Sequence, residues 1–107
     1  MSYKIEFTQT AKEDLRDIAL YIAEESKEIS IALRFVEKLQ NSVEQLKSFP
    51  LSGACPKDRV LCSFGYRFLV HKDYLTFYTV DEEKKTVYIE AVFNSKKDYT
   101  RVLLRLL

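Results

Sequence analysis

The sequence predicts an α+β fold, an antiparallel sheet packed against an N-terminal two-helix hairpin in the order β-α-α-β-β-β-β-α. Three observations carry that expectation. A short alternation of apolar and charged residues opens the chain, two apolar stripes at helical spacing follow, and from Arg59 onward the period changes to two. With 107 residues, 47% of them hydrophobic, the chain has the size of one domain and can form a core without disulfide or metal staples. No repeat, low-complexity tract or Pro/Gly-rich linker divides it, so residues 1–107 are expected to form a single domain.

Tyr3, Ile5 and Phe7 alternate with Lys4 and Glu6, as a half-buried strand requires. Thr10 with Glu13 three residues later has the spacing of a capping box that would open the first helix. In that helix Ala11, Leu15, Ile18, Ala19 and Ile22 form the core face, leaving Lys12, Asp14, Arg16, Asp17 and Glu25 to solvent. Ser30 can cap a second helix whose stripe runs through Ala32, Phe35, Val36, Leu39, Val43 and Leu46 and ends near Phe49-Pro50. A short break between two such helices implies an antiparallel hairpin.

Residues 59–62, 66–71, 75–80 and 86–93 are rich in Val, Ile, Tyr, Phe and Thr and read as four strands. Lys72-Asp73 and the polar residues 81–85 look like hairpin connections, which makes this half a meander. A short final helix would carry Val102, Leu103, Leu106 and Leu107. The hairpin is then expected to cover one face of the sheet.

Net charge is +1, unevenly placed: residues 1–50 hold 7 Lys/Arg against 9 Asp/Glu, and residues 51–107 hold 10 against 7. From Asn94 onward Lys96, Lys97, Arg101 and Arg105 face only Asp98, a local field suited to phosphate or an acidic partner. A domain that grips nucleic acid nonspecifically would be more basic overall. Cys55 and Cys62 are the only cysteines, no zinc-type spacing is present, and both are expected as free thiols with neither metal nor cofactor. No apolar run approaches a membrane span and the start lacks signal-peptide features, so a cytoplasmic location is expected.

The element order, with the strings TQTAKEDLRDIALYI, FPLSG, GYRFLV, YLTFYTVDE and VFNSKKDY, resembles the RelE/ParE toxin superfamily over almost the whole chain. The resemblance implies the toxin of a type II toxin–antitoxin (plasmid stabilisation) pair, a growth inhibitor neutralised by a cognate antitoxin. It also implies one of two targets on one scaffold: RelE-like members cut messenger RNA in the ribosomal A site, and ParE-like members poison DNA gyrase. A fold alone does not choose between them.

RNA cleavage through the 2′-hydroxyl needs a proton acceptor, positive charge for the phosphorane and an acid for the leaving oxygen. By resemblance Arg67 in GYR is the central-strand arginine of RelE-like nucleases, and Tyr99 with Lys96 and Lys97 would complete the set. Alternation puts Arg67 on one face with Leu69 and His71. Each also has an ordinary structural role open to it: Arg67 in pairing with a neighbouring element, His71 as an exposed strand end, Tyr99 in packing, and Phe77, Tyr78 and Tyr88 in the core and sheet surface.

Two departures favour the ParE-like reading. The stretch before GYR carries only Arg59 where nucleases carry lysines, and Lys96-Lys97 lacks the bidentate fork of an arginine pair. A long helical hairpin points the same way. Target contacts are then expected from the hairpin and from Arg59, Arg67, Lys96, Lys97, Arg101 and Arg105, and antitoxin contact at Val102, Leu103 and Leu106, with a homodimer as the competing use of that apolar segment. A domain that kept the fold and lost toxicity is the third possibility.

Overall fold

The computed structural model describes residues 2–96. Strand β1 (Lys4–Phe7) leads into helix α1 (Gln9–Ser26), which is followed by α2 (Ile29–Ser42) and a 3-10 turn (Glu44–Lys47). A short helix α3 (Arg59–Ser63) precedes β2 (Arg67–His71), β3 (Tyr74–Asp81) and β4 (Thr86–Asn94). The strand order is β1-β4-β3-β2. β2, β3 and β4 form the expected antiparallel meander, and β1 joins its edge in parallel, with Lys4 opposite Thr86 and Phe7 opposite Ile89. No tight turn constrains β1 and β4 to run antiparallel, because both helices lie between them in the chain.

Helix α1 starts earlier than the sequence suggested. Thr8 rather than Thr10 is the N-cap, its hydroxyl accepting from Ala11 N at 3.1 Å. The helix ends at Lys27, which takes the left-handed conformation (φ 64°) and returns its N–H to Ala23 O. Helix α2 follows directly from Glu28, so Ser30 lies inside its first turn and caps nothing. Both predicted stripes face inward: Ala11, Leu15, Ile18, Leu39, Val43 and Leu46 are buried against Tyr74, Tyr78, Val87, Ile89 and Val92 of the sheet.

The expected strand at residues 59–62 is instead helix α3. Asp58 caps it by accepting from Val60 N and Leu61 N at 2.9 and 3.1 Å. It closes in a Schellman arrangement, Tyr66 N donating to Leu61 O and Gly65 N to Cys62 O, with Gly65 at φ 85°. The Cβ-free residue makes that left-handed step without strain. Three apolar residues after Arg59 are too few to separate period two from a single helical turn, and the deciding signal is the Asp58 cap.

Helix α3 also gives the sheet a second covered face where one was expected. Leu61 packs with Tyr66, Phe77, Ala91 and Phe93, and Phe77 stacks on Phe68 and on Phe93, each pair with ring centroids 5.3 Å apart. The cysteines are not free: a disulfide joins Cys55 to Cys62 and ties α3 to the loop before it. The final helix expected near the C-terminus lies outside the described residues.

Candidate functional site

Arg67 begins β2, paired with Tyr78 of β3. As alternation predicts, it shares a face with Leu69, which joins the core under the hairpin, and with His71. One arm of its guanidinium is engaged there. Nη1 donates to Gly53 O at 2.9 Å and to Leu51 O at 3.2 Å, holding the loop that follows the 3-10 turn. Tyr78, fully enclosed, accepts from Gly53 N at 2.9 Å, and Ala54 makes a two-way bridge to Phe68. The FPLSG and GYR strings of the sequence therefore meet in space.

This loop accepts no larger residue at Gly53, where a Cβ would stand 2.5 Å from Tyr78 Oη and 2.8 Å from Phe68 O. Burial pushes the Tyr78 phenol up from its ordinary value of 10.0, and the Gly53 N–H and the Arg67 charge only partly oppose it. The phenol stays protonated and serves as a structural hydroxyl.

Lys96 lies beyond the end of β4, exposed, its N–H donating to the Asn94 side chain, while Ser95 N donates to Asp73 O in the β2–β3 turn. That turn is the end of the hairpin opposite Arg67. Four strand steps from Arg67 to His71 alone span about 13 Å, so Lys96 and Arg67 are not brought together. Arg59 is exposed at the start of α3. Lys97, Tyr99, Arg101, Val102, Leu103, Arg105 and Leu106 lie outside the described residues.

Other side chains depart from their expected surroundings. His71 is half-buried rather than an open strand end, because its face lies under α2, with its ring 5.9 Å from that of Phe35. Asp14, expected in solvent, accepts from Val92 N at 3.0 Å. β1 ends opposite Ile89, so the rest of that β4 edge has no strand beside it, and the carboxylate supplies the missing acceptor.

On the face opposite the hairpin, Glu90 is the extra residue of a β-bulge, between the Phe77–Ala91 and Tyr78–Ile89 pairs. It accepts from Thr79 Oγ1 at 2.8 Å. Burial first, then the Glu90 charge, raises the phenol of Tyr66. Among the described residues no group of His, Cys, Asp or Glu is placed to hold a metal, and no helix is long and apolar enough to cross a membrane.

Exposed apolar side chains cluster in sequence at two places. Leu20, Tyr21, Ile29 and Leu33 flank the connection of the helical hairpin, and Phe49, Leu51, Val60 and Phe64 lie on the loop and on α3. Surfaces of this kind suit protein contact.

Comparison with known proteins places these features in context. Residues 5–99 match the ParE toxin of the type II toxin–antitoxin system parDE. No curated protein matches the sequence. Among solved structures, a chain of the chromosomal ParDE system from P. aeruginosa superposes with a TM-score of 0.71 at 18% identity, over 87% of this chain and 96% of that one. A chain of the RelBE2 toxin–antitoxin complex from Mycobacterium tuberculosis gives 0.58 at 26% identity, over 88% and 99%. A mutant of the E. coli toxin RelE in the free state gives 0.65 at 16% identity, with both chains covered in full at 100%.

Proposed function

Because the chain belongs to the ParE toxin family of type II toxin–antitoxin systems, we propose that it arrests growth by binding DNA gyrase, and that a cognate antitoxin neutralises it. The observation that carries this over message cleavage is the engagement of Arg67. Arg67, the arginine that the resemblance assigns to phosphorane stabilisation, donates through Nη1 to two loop carbonyls and lies a hairpin's length from Lys96. A catalytic cation must be preorganised toward the reacting phosphate, not toward its own backbone.

The P. aeruginosa and M. tuberculosis structures are toxin–antitoxin systems, which supports an antitoxin as partner. The proposed contact surfaces for gyrase are the helical hairpin, Arg59 and the basic segment with Lys96, Lys97, Arg101 and Arg105. Antitoxin contact is proposed at Val102, Leu103 and Leu106. A second reading, ribosome-dependent cleavage by Arg67, Lys96, Lys97 and Tyr99, draws on the 26% identity to the RelBE2 chain.

The test adds the purified full-length chain to gyrase and relaxed plasmid. The expected result is loss of supercoiling with accumulation of gyrase-linked DNA breaks, reversed by the antitoxin. Unimpaired supercoiling in the presence of excess protein contradicts the gyrase assignment. Normal growth on induction without the neighbouring gene would contradict any toxin reading and leave a binding domain.

A further inference from the structure

Where α2 crosses the β2–β3 turn, the surface holds a pocket of about 200 Å³ lined by Ile31, Arg34, Phe35, Lys38, His71 and Lys72. Four of the six lie on one face of α2 at intervals of three and four residues, and the other two come from the end of β2 and the turn after it. The lining includes three cations and no carboxylate. Like charges four residues apart on a helix repel, so Arg34 and Lys38 do not stabilise α2 by their proximity. Among the described residues the ion pairs are Lys4–Glu6, Lys47–Glu44 and Lys85–Glu82, none of which neutralises the pocket.

Two further features lie at the same place. His71 Nε2 is buried away from solvent and has no hydrogen-bond partner among the described residues, so His71 lines the pocket through its other atoms and can report on it without touching a ligand by that nitrogen. Lys72 adopts a left-handed backbone at φ 55°, a conformation that Gly or Asn reaches more cheaply, yet the position carries a cation. Neither feature contributes to the core or to the Arg67 loop.

We propose that this pocket binds a phosphate group, carried either by a nucleic-acid backbone or by a small phosphate ester. A phosphate monoester offers up to two charges and three terminal oxygens in a compact tetrahedron, and each backbone diester offers one charge and two. Three cations lining one pocket match the doubly charged ester better than a single carboxylate, and they match a run of backbone phosphates because it brings more than one charge to the same surface. The guanidinium of Arg34 supplies a planar fork, and the two lysines supply movable point charges. Phe35 and Ile31 provide an apolar wall that strengthens the attraction by excluding water on one side. The site is separate from Arg67 and does not depend on which target the toxin attacks.

The test titrates the full-length chain with inorganic phosphate, and separately with a twelve-nucleotide single-stranded DNA, while following the His71 imidazole resonances by NMR. The expected result is a saturable His71 shift with phosphate, weakened tenfold or more in the triple variant Arg34→Gln/Lys38→Gln/Lys72→Asn. All three positions are exposed, and Asn suits the backbone at 72, so the variant should fold. A charge-matched control, Lys12→Gln/Lys57→Gln/Lys84→Gln, should bind phosphate within twofold of the parent.

The source of the phosphate follows from the DNA arm. A salt slope reduced by about 0.7 in the pocket variant means a backbone phosphate occupies the site. DNA binding unchanged while phosphate binding is lost means a small ester does. Phosphate that leaves His71 unmoved, or equal weakening in the two triple variants, overturns the proposal. So does a hexaglutamate peptide that shifts His71 where phosphate does not, since the occupant would then be an acidic protein segment.

Discussion

Tyr78 and Arg67 illustrate how far single residues can be read from sequence. The face of Arg67 follows from strand alternation, and so does its companionship with Leu69 and His71. Its partners do not, because the accepting carbonyls of Leu51 and Gly53 sit 16 and 14 residues earlier on a loop with no period of its own. The close packing there yields a prediction: Gly53→Ala should destabilise the fold by about 1–3 kcal/mol, the range for overfilling a packed site, measured by urea unfolding. An unchanged midpoint would mean that the loop is not pinned.

The phenols of Tyr66, Tyr74 and Tyr78 are all held above their ordinary value of 10.0, with burial as the leading cause. The folded state then keeps their protons more tightly than the unfolded chain does. Their contribution is whole below pH 10 and is lost as pH rises above it toward the folded values. Unfolding free energy should therefore fall above about pH 10, and less steeply in Tyr78→Phe, in a series of urea titrations. An identical slope in the variant would remove Tyr78 from the account. Asp14 belongs at this scale too: read as solvated from its place on α1, it serves an N–H contributed 78 residues later. Asp14→Ala should cost about 1–3 kcal/mol by leaving Val92 N unpaired at a part-buried site, against near-zero loss for Asp17→Ala on the exposed side of α1.

Among the elements, those with a sustained period were legible and the short one was not. The stripes of α1 and α2 extend over several turns each, and β3 and β4 over eight and nine residues. Helix α3 has five residues, and its identity depends on Asp58 at one end and Gly65 at the other. The same segment overturned the expectation of free thiols, since nothing in the spacing of Cys55 and Cys62 reveals that a helical turn brings their Cα atoms to 5.7 Å. Closing so short a loop limits the unfolded chain by about 2.5 kcal/mol on the chain-entropy estimate. Cys55→Ser/Cys62→Ser should lower stability by about 2 kcal/mol and speed amide exchange in α3, with little added exchange in α1. Equal exchange in both helices would mean that the disulfide does not hold α3 over the sheet.

For the molecule as a whole, the resemblance read from ordered strings and the match over residues 5–99 agree on the toxin family. Target choice was less legible, because it depends on whether side chains converge. Arg67 holds a loop under the hairpin side of the sheet, and Lys96 stands at the far end of the β2–β3 hairpin. The basic pocket beside His71 was equally hidden: Arg34 and Lys38 are visible as an i, i+4 pair, but Lys72 reaches them only through the turn.

The most direct measurement of whether Arg67 is a latch or a catalytic group is the integrity of a ribosome-bound message incubated with the full-length chain, read by primer extension. The account predicts intact message at every codon. Cleavage at the ribosomal A site that disappears in Arg67→Ala, with the melting temperature of that variant unchanged, would contradict it.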